Sequence, residues 1–92
     1  MKITKRNGNV VMYDDEKIAK SILKANSQVN EEEISERKAS RIANEAFNIL
    51  TRDRDVITTE EIRSCVFTLL MQDGFTKTAH NYMDYKKNKY RS

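Results

Sequence analysis

Three cations near the start of the chain have side chains that suit a bound phosphate. Lys5 and Arg6 precede Asn7-Gly8, a pair typical of tight turns, and Lys17 follows shortly after. An arginine guanidinium offers a planar fork to phosphate oxygens, and a lysine offers a mobile point charge. Because a nucleoside triphosphate carries several negative charges, cations that converge on one point suit it. A short basic turn is also common on protein surfaces, so this motif alone does not identify a site.

Catalytic signatures are missing from the sequence. Neither glycine-rich phosphate motif, G-x-x-x-x-G-K-[ST] or G-x-G-x-x-G, occurs. The single histidine, His80, has no obvious nucleophile partner, and we expect it to be a surface or structural residue. Cys65 is the single cysteine, so thiolates cannot build a zinc site, and its place in an apolar stripe predicts a buried structural thiol. The sequence therefore predicts a non-enzyme in which side chains would hold a nucleotide.

Length and composition favour one small helical domain over residues 1–92. Apolar residues make up 38% of the chain and charged residues 34%, with no proline and only two glycines. The first residues lack the apolar core of a signal peptide, and no apolar run approaches membrane-spanning length. We therefore expect a cytoplasmic protein made of helices joined by short loops.

The charge pattern suits a compact anionic ligand better than a nucleic acid. The net charge is +3 and the isoelectric point is near 9.1, but 14 acidic residues are interleaved with 17 basic ones. A nucleic-acid-binding domain more often carries a continuous basic face. Basic residues crowd near the end, at Lys86, Lys87, Lys89 and Arg91. This cluster is either a solvated helix end, where cations suit the helix dipole, or a ligand contact.

The opening segment is typical of a β-hairpin over about residues 2–13. The β-prone run Val10-Val11-Met12-Tyr13 follows Asn7-Gly8, the pair that type I′ hairpin turns favour. A third short strand is predicted at Val56-Ile57, where it would pair with the hairpin. These three segments predict a small β-sheet.

Apolar residues at helical spacing predict four helices, at about 15–26, 31–52, 59–73 and 77–89. Asp14 or Asp15 would cap the first helix. Asn30 with Glu33 would form a capping box for the second helix, and Glu31-Glu32-Glu33 would then be its acidic first turn. Thr58 with Glu61 predicts a second capping box, and Gly74 predicts a left-handed helix end. The predicted fold class is α+β, a four-helix bundle capped by the small sheet.

The order and spacing of several short motifs resemble the ATP-cone family from Lys2 to about Lys89. The motifs are Lys5-Arg6-x-Gly8, Lys17-Ile18, Ile57-Thr58-Thr59-Glu60-Glu61-Ile62 and Ala79-x-x-Tyr82-x-x-Tyr85-Lys86-Lys87. The sequence departs from the family pattern at Asn7, where the family carries an aspartate. Asparagine tolerates the same left-handed turn, so the change removes a negative charge and keeps the turn.

The resemblance implies a regulatory domain that binds ATP or dATP and controls a ribonucleotide reductase through changes in oligomeric state. The reductase catalytic domain would act in cis or in trans, and any magnesium ion would be carried by the nucleotide phosphates. The alternative from the residues alone is a small basic module that binds nucleic acid or another protein. That module would lose affinity steeply with salt and would show little preference for adenine.

The resemblance also implies which residues contact the nucleotide. The turn residues Lys5 and Arg6, with Gly8, match phosphate contacts, and Lys17 matches the lysine of the first helix. The positions implied to line the base and ribose are Ile3, Val11, Asp14 and Ile18. The positions implied to approach the phosphates or a second nucleotide are Thr59, Arg63, Lys86 and Lys87. Tyr82 and Tyr85 match aromatic positions of the last helix, where either core packing or ligand contact fits.

Overall fold

The computed structural model describes residues 2–4, 10–52 and 56–89, and the side chains of residues 13–52 and 56–84. The strands are β1 Lys2–Thr4, β2 Val10–Met12 and β3 Val56–Thr58. The helices are α1 Asp15–Asn26, α2 Glu36–Leu50, α3 Thr59–Gln72 and α4 Thr76–Lys89. The described chain is therefore mostly helical, and none of its helices is both long and apolar enough to cross a membrane.

The three strands form one sheet in the order β2-β1-β3. β1 is antiparallel to β2, with Ile3 opposite Val11, and parallel to β3, with Ile3 opposite Ile57. The predicted third strand and its pairing are confirmed. The predicted turn at Asn7-Gly8 falls in residues 5–9, which lie outside the described residues.

The helices pack in a closed circuit, with α1 and α3 each lying between α2 and α4. Their apolar stripes bury a single core, to which β3 adds Ile57. The largest buried apolar side chains are Tyr82, Ile22, Ile42, Ile57, Leu70 and Val66. Burial of this surface is the main term that stabilises a domain of this size.

Neighbouring helices run antiparallel, which gives the bundle two distinct ends. The start of α4 lies beside the end of α1, because Thr78 hydrogen-bonds Asn26 and Asn81 hydrogen-bonds Ala25. Tyr13, just before α1, contacts the second half of α2. The end that carries the sheet, called the sheet end below, therefore holds the N-termini of α1 and α3 and the C-termini of α2 and α4. The opposite end is called the far end.

The predicted helix signals at Thr58, Glu61 and Gly74 are confirmed. Thr58 and Glu61 form the capping box of α3, with both side chain–backbone hydrogen bonds 3.1 Å long. Gly74 has a φ of +88°, the left-handed conformation that favours glycine after a helix end. The N-cap of α1 is Asp14. Local side-chain chemistry thus sets three of the helix ends.

The predicted start of α2 is wrong. The helix begins at Glu36 rather than residue 31, and its N-cap is Ser35, whose hydroxyl accepts from the Lys38 N–H at 3.1 Å. The segment before it is not helical because tertiary hydrogen bonds hold it: the Ile34 N–H donates to the Asn26 side chain at 3.0 Å. The carboxylate of Glu32 is likewise used outside α2, so the predicted acidic first turn does not form.

A polar cluster at the far end, called the far-end junction below, joins α1, α4 and the segment before α2. The Asn26 Nδ2 donates to the Glu32 carbonyl at 2.8 Å and to the Thr78 Oγ1 at 3.0 Å. The Glu32 carboxylate accepts from the N–H groups of Thr78, at 2.8 Å, and Lys77, at 3.1 Å. Glu32 therefore caps the start of α4, where the helix dipole favours a negative charge.

Glu32→Gln is expected to destabilise the protein at neutral pH, with an effect that disappears in acid. Burial raises the pKa of the Glu32 carboxyl, but the N–H groups of Thr78 and Lys77 lower it more, so the net pKa lies below the ordinary value of 4.5. A depressed folded-state pKa stabilises the fold above the unfolded-state pKa, and the stabilisation is lost as pH falls through the folded-state value. Urea unfolding of both proteins from about pH 7 to about pH 3 tests this.

The exposed neighbour Glu33 provides the matched control for that measurement. Glu33→Gln removes the same charge from the same loop, and we expect it to leave the free energy of unfolding at neutral pH almost unchanged because Glu33 is exposed. Parallel pH profiles for the wild type and Glu32→Gln would contradict the assigned cap.

Candidate functional site

The first turn of α1 brings three of the predicted contact residues to the sheet end. The Asp14 carboxylate accepts from the N–H groups of Glu16, at 3.0 Å, and Lys17, at 3.4 Å. Lys17 is exposed, so its ammonium group is available to a ligand in solution, whereas Ile18 is half-buried against the core. This turn therefore presents a capping carboxylate, an accessible cation and an apolar side chain close together.

The first two turns of α3 bring two more predicted residues, Thr59 and Arg63, to the same end. Thr4 lies opposite Thr58, the N-cap of α3, so the last residue of β1 sits beside the start of that helix. The side chain of Arg63 is 12% exposed, and its guanidinium lies 3.9 Å from the carboxylate of Glu60. A helix N-terminus and a mostly buried guanidinium are both features that favour a bound anion.

The last turn of α4 brings the backbone of Lys86 and Lys87 to the sheet end. α4 is antiparallel to α1, and its early residues lie beside the end of α1. At a rise of about 1.5 Å per residue, positions 86 and 87 therefore come level with the first turns of α1. Tyr82 is only 1% exposed and belongs to the core, so the core interpretation holds for this aromatic position.

Several predicted contacts lie outside the described residues. These are Lys5, Arg6 and Gly8 entirely, and the side chains of Ile3, Val11, Tyr85, Lys86 and Lys87. The backbone places Ile3 and Val11 as direct partners across β1 and β2. The sheet end thus gathers residues that are far apart in sequence, from the sheet, from α1, from α3 and from α4.

A separate groove runs between α2 and α3, from Leu50 and Glu61 at the sheet end toward Gln72. It has a volume of about 520 Å³ and is lined by Ile49, Leu50, Glu60, Glu61, Ser64, Cys65, Thr68, Leu69 and Gln72. Its lining is apolar or uncharged apart from two glutamates, and it contains none of the predicted nucleotide contacts. A triphosphate would meet repulsion from these carboxylates, so the groove does not suit the phosphate end of a nucleotide.

The surroundings of Cys65 and His80 do not favour reactive chemistry. Cys65 is half-buried rather than fully buried, and burial together with the charge of Glu45 raises the pKa of its thiol. A raised pKa disfavours the reactive thiolate. His80 is exposed and meets the ring of Phe67 edge-on, with centroids 5.4 Å apart. Among the described residues, no group of three His, Cys, Asp or Glu side chains could hold a metal ion.

Sequence reasoning missed two residues that shape this end of the molecule. Tyr13 ties the start of α1 to α2, and Glu60 lies beside the Arg63 guanidinium. An apolar residue immediately before an N-cap typically packs at its own helix start, so the place of Tyr13 in the sequence indicates packing but not the contact with α2. Glu60 lies three residues before Arg63, a spacing that brings side chains together on a helix.

One protein family matches almost the whole chain. The family described as the ATP cone domain matches residues 1–91 of the chain. The chain belongs to the ATP-cone family. The ATP cone is a nucleotide-binding regulatory domain typical of ribonucleotide reductases, and it is not itself catalytic. A search of curated proteins found no significant match.

Proposed function

We propose that this ATP cone binds ATP or dATP at the sheet end and thereby regulates a ribonucleotide reductase, in cis or in trans. The observation that carries the proposal is the convergence at one end of Lys17, Thr59, Arg63 and the backbone of Lys86 and Lys87, which the fold assembles from three helices. Family membership supports an adenine nucleotide as the ligand.

The phosphates would be bound by cations from different elements. Lys5 and Arg6 follow β1, whose last residue lies beside the start of α3, and Lys17 is exposed on α1. Arg63 and the end of α4 would approach from the other helices, or would contact a second nucleotide. Each hydrogen bond between a charged group and phosphate contributes about 1.5–3 kcal/mol, so a few such contacts suffice for micromolar affinity.

The adenine and ribose would lie against the sheet and the first turn of α1. Ile3 and Val11 are direct partners across the two strands, and Ile18 adds an apolar side chain. The Asp14 carboxylate already accepts two N–H groups, but its oxygens have further lone pairs for a ribose hydroxyl. A magnesium ion would enter with the phosphates, because the proposal requires no protein ligand for it.

Discrimination between ATP and dATP would depend on assembly more than on affinity. The two nucleotides differ by one hydroxyl, and one hydrogen bond contributes about 0.5–1.5 kcal/mol, which allows about tenfold selectivity. A ligand shifts an equilibrium only by its differential affinity for the two states. We therefore infer that the nucleotides favour different stoichiometries or oligomers, which amplify a small difference in binding.

Calorimetry and light scattering with ATP, dATP and GTP test this function. We expect saturable binding of ATP and dATP at about 0.15 M salt, weaker binding of GTP, and a molecular mass that differs between the two adenine nucleotides. Binding to double-stranded DNA that falls steeply with salt, without adenine preference, would instead support a nucleic-acid-binding module. Equal stoichiometry and an unchanged mass with both nucleotides would refute regulation through assembly.

A further inference from the structure

Tyr13 lies between β2 and α1, within a segment that supplies four of the proposed nucleotide contacts. We call this segment, residues 10–18, the site wall, and its proposed contacts are Val11, Asp14, Lys17 and Ile18. We propose that Tyr13 is a positioning residue that fixes the site wall against α2, and this inference rests on the proposed function. The side chain itself is not required to contact the nucleotide.

Two contacts join Tyr13 to one face of α2. Its hydroxyl donates to the Ala43 carbonyl at 2.8 Å, and its ring lies 4.8 Å from the ring of Phe47, centroid to centroid, at a tilt of 54°. Ala43 and Phe47 are four residues apart, so they lie one turn apart on the same helix face. Both the ring and the hydroxyl group of Tyr13 therefore contact α2.

The hydroxyl bond adds a second partner to a carbonyl that already belongs to the helix ladder. A helical C=O accepts from the N–H four residues on and retains a second lone pair. Burial is the main cause that raises the pKa of Tyr13, so the phenol remains a neutral donor across the physiological range. The bond to α2 is thus maintained at any pH at which the nucleotide site would operate.

Among the described side chains, the other hydrogen bonds of residues 13–18 are local to α1, and the backbone of β2 joins the site wall to β1 rather than to a helix of the bundle. The Asp14 carboxylate bonds the N–H groups of Glu16 and Lys17, and the Ser21 hydroxyl bonds the Lys17 carbonyl. These bonds order α1 itself. Tyr13 instead reaches an element thirty positions away in sequence, so it sets where the start of α1 lies relative to α2.

Tyr13→Phe tests the proposal because it removes the hydroxyl and keeps the ring. We expect the Kd for ATP to rise about threefold to tenfold, the range that corresponds to one net hydrogen bond. Phe47→Leu removes the ring contact and keeps the hydroxyl bond, and we expect it to weaken ATP binding in the same direction. Both are measured by calorimetry, with the free energy of unfolding measured in parallel.

Asn81→Ala is the matched control at the far end. Asn81 donates to the Ala25 carbonyl at 2.7 Å, so this variant also removes a side-chain bond to a carbonyl in a helix. We expect it to lower stability and to leave the Kd for ATP unchanged. A rise in Kd as large as that of Tyr13→Phe would show that lost stability causes the effect, which would overturn the positioning role.

The outcomes separate this inference from the proposed function. If wild-type protein binds ATP and Tyr13→Phe binds it equally well, the positioning role is wrong and the proposed function stands. If the wild type does not bind ATP or dATP at all, both are wrong. A higher Kd in Tyr13→Phe, together with an unchanged Kd in Asn81→Ala, supports the positioning role.

Discussion

Replacing Lys5 and Arg6 together by alanine is expected to weaken ATP binding about a hundredfold. Each side chain is proposed to form a hydrogen bond between a charged donor and phosphate, and such a bond contributes about 1.5–3 kcal/mol. Two of them amount to about 3 kcal/mol or more, and about 1.4 kcal/mol corresponds to a tenfold change in affinity. Calorimetry at about 0.15 M salt measures the loss, and the free energy of unfolding should change little.

A double variant at the far end removes the same formal charge without touching the proposed site. Lys38 lies 4.0 Å from Asp73, Lys77 lies 3.3 Å from Glu31, and all four side chains are exposed. We expect Lys38→Ala with Lys77→Ala to change the Kd for ATP less than twofold, because charges farther away than about 8 Å are largely screened at this salt concentration. Equal losses in both double variants would show that net charge, rather than local contact, controls binding.

Asn26→Ala is expected to destabilise the fold more than any other single change at the far end. Asn26 is 9% exposed, and its side chain makes three hydrogen bonds of 2.8–3.0 Å, to Glu32, Thr78 and Ile34. Its truncation leaves the Ile34 N–H buried without this acceptor, and an unsatisfied buried group costs about 1–3 kcal/mol. We expect a total loss of about 3 kcal/mol, measured by urea unfolding, and a fall in Tm of about 15 °C.

The neighbouring Ser27 provides a control for Asn26. Ser27 is exposed, and its hydroxyl donates to the Lys24 carbonyl at 2.6 Å, so its truncation to alanine removes one local bond that water can replace. We expect Ser27→Ala to cost less than about 0.5 kcal/mol. An Asn26→Ala protein as stable as Ser27→Ala would show that the far-end junction does not support the fold.

The helix ends that depend on neighbouring residues were predictable from the sequence. The capping box joins Thr58 to Glu61, only three positions away, and the left-handed conformation belongs to Gly74 itself. Short sequence patterns cover this range, so they could predict both features. The third strand was also predictable, since Val56 and Ile57 are β-branched and precede a helix cap.

The start of α2 was not predictable, because its cause is tertiary. Asn30 and Glu33 have the spacing of a capping box, but Asn26 and the start of α4 compete for the backbone and side chains of residues 31–35. These bonds join positions up to 46 residues apart, which no local pattern contains. Glu32 of the acidic run therefore caps α4, a helix that follows it by some forty residues.

The residues that would contact the nucleotide were predictable from the sequence, but the residue that positions them was not. The cations and apolar positions follow from the family resemblance, and the fold places those that it describes at one end. Tyr13 has no charge, and its place before the N-cap does not indicate its partner, so its role becomes visible only from its hydrogen bond to Ala43 and its ring contact with Phe47. The lysine and arginine of the opening turn remain a prediction.

The parallel pairing of β1 with β3 has a consequence for the order in which the molecule folds. Ile3 pairs with Ile57, and the chain between them contains α1 and α2. Closing this long loop is entropically costly and slow relative to the formation of each helix. The sheet would therefore close late, after the helices have begun to pack. A nucleotide that binds only the closed sheet would then slow unfolding more than it speeds folding, and a truncated chain that ends before Val56 would have no complete pocket for it to occupy.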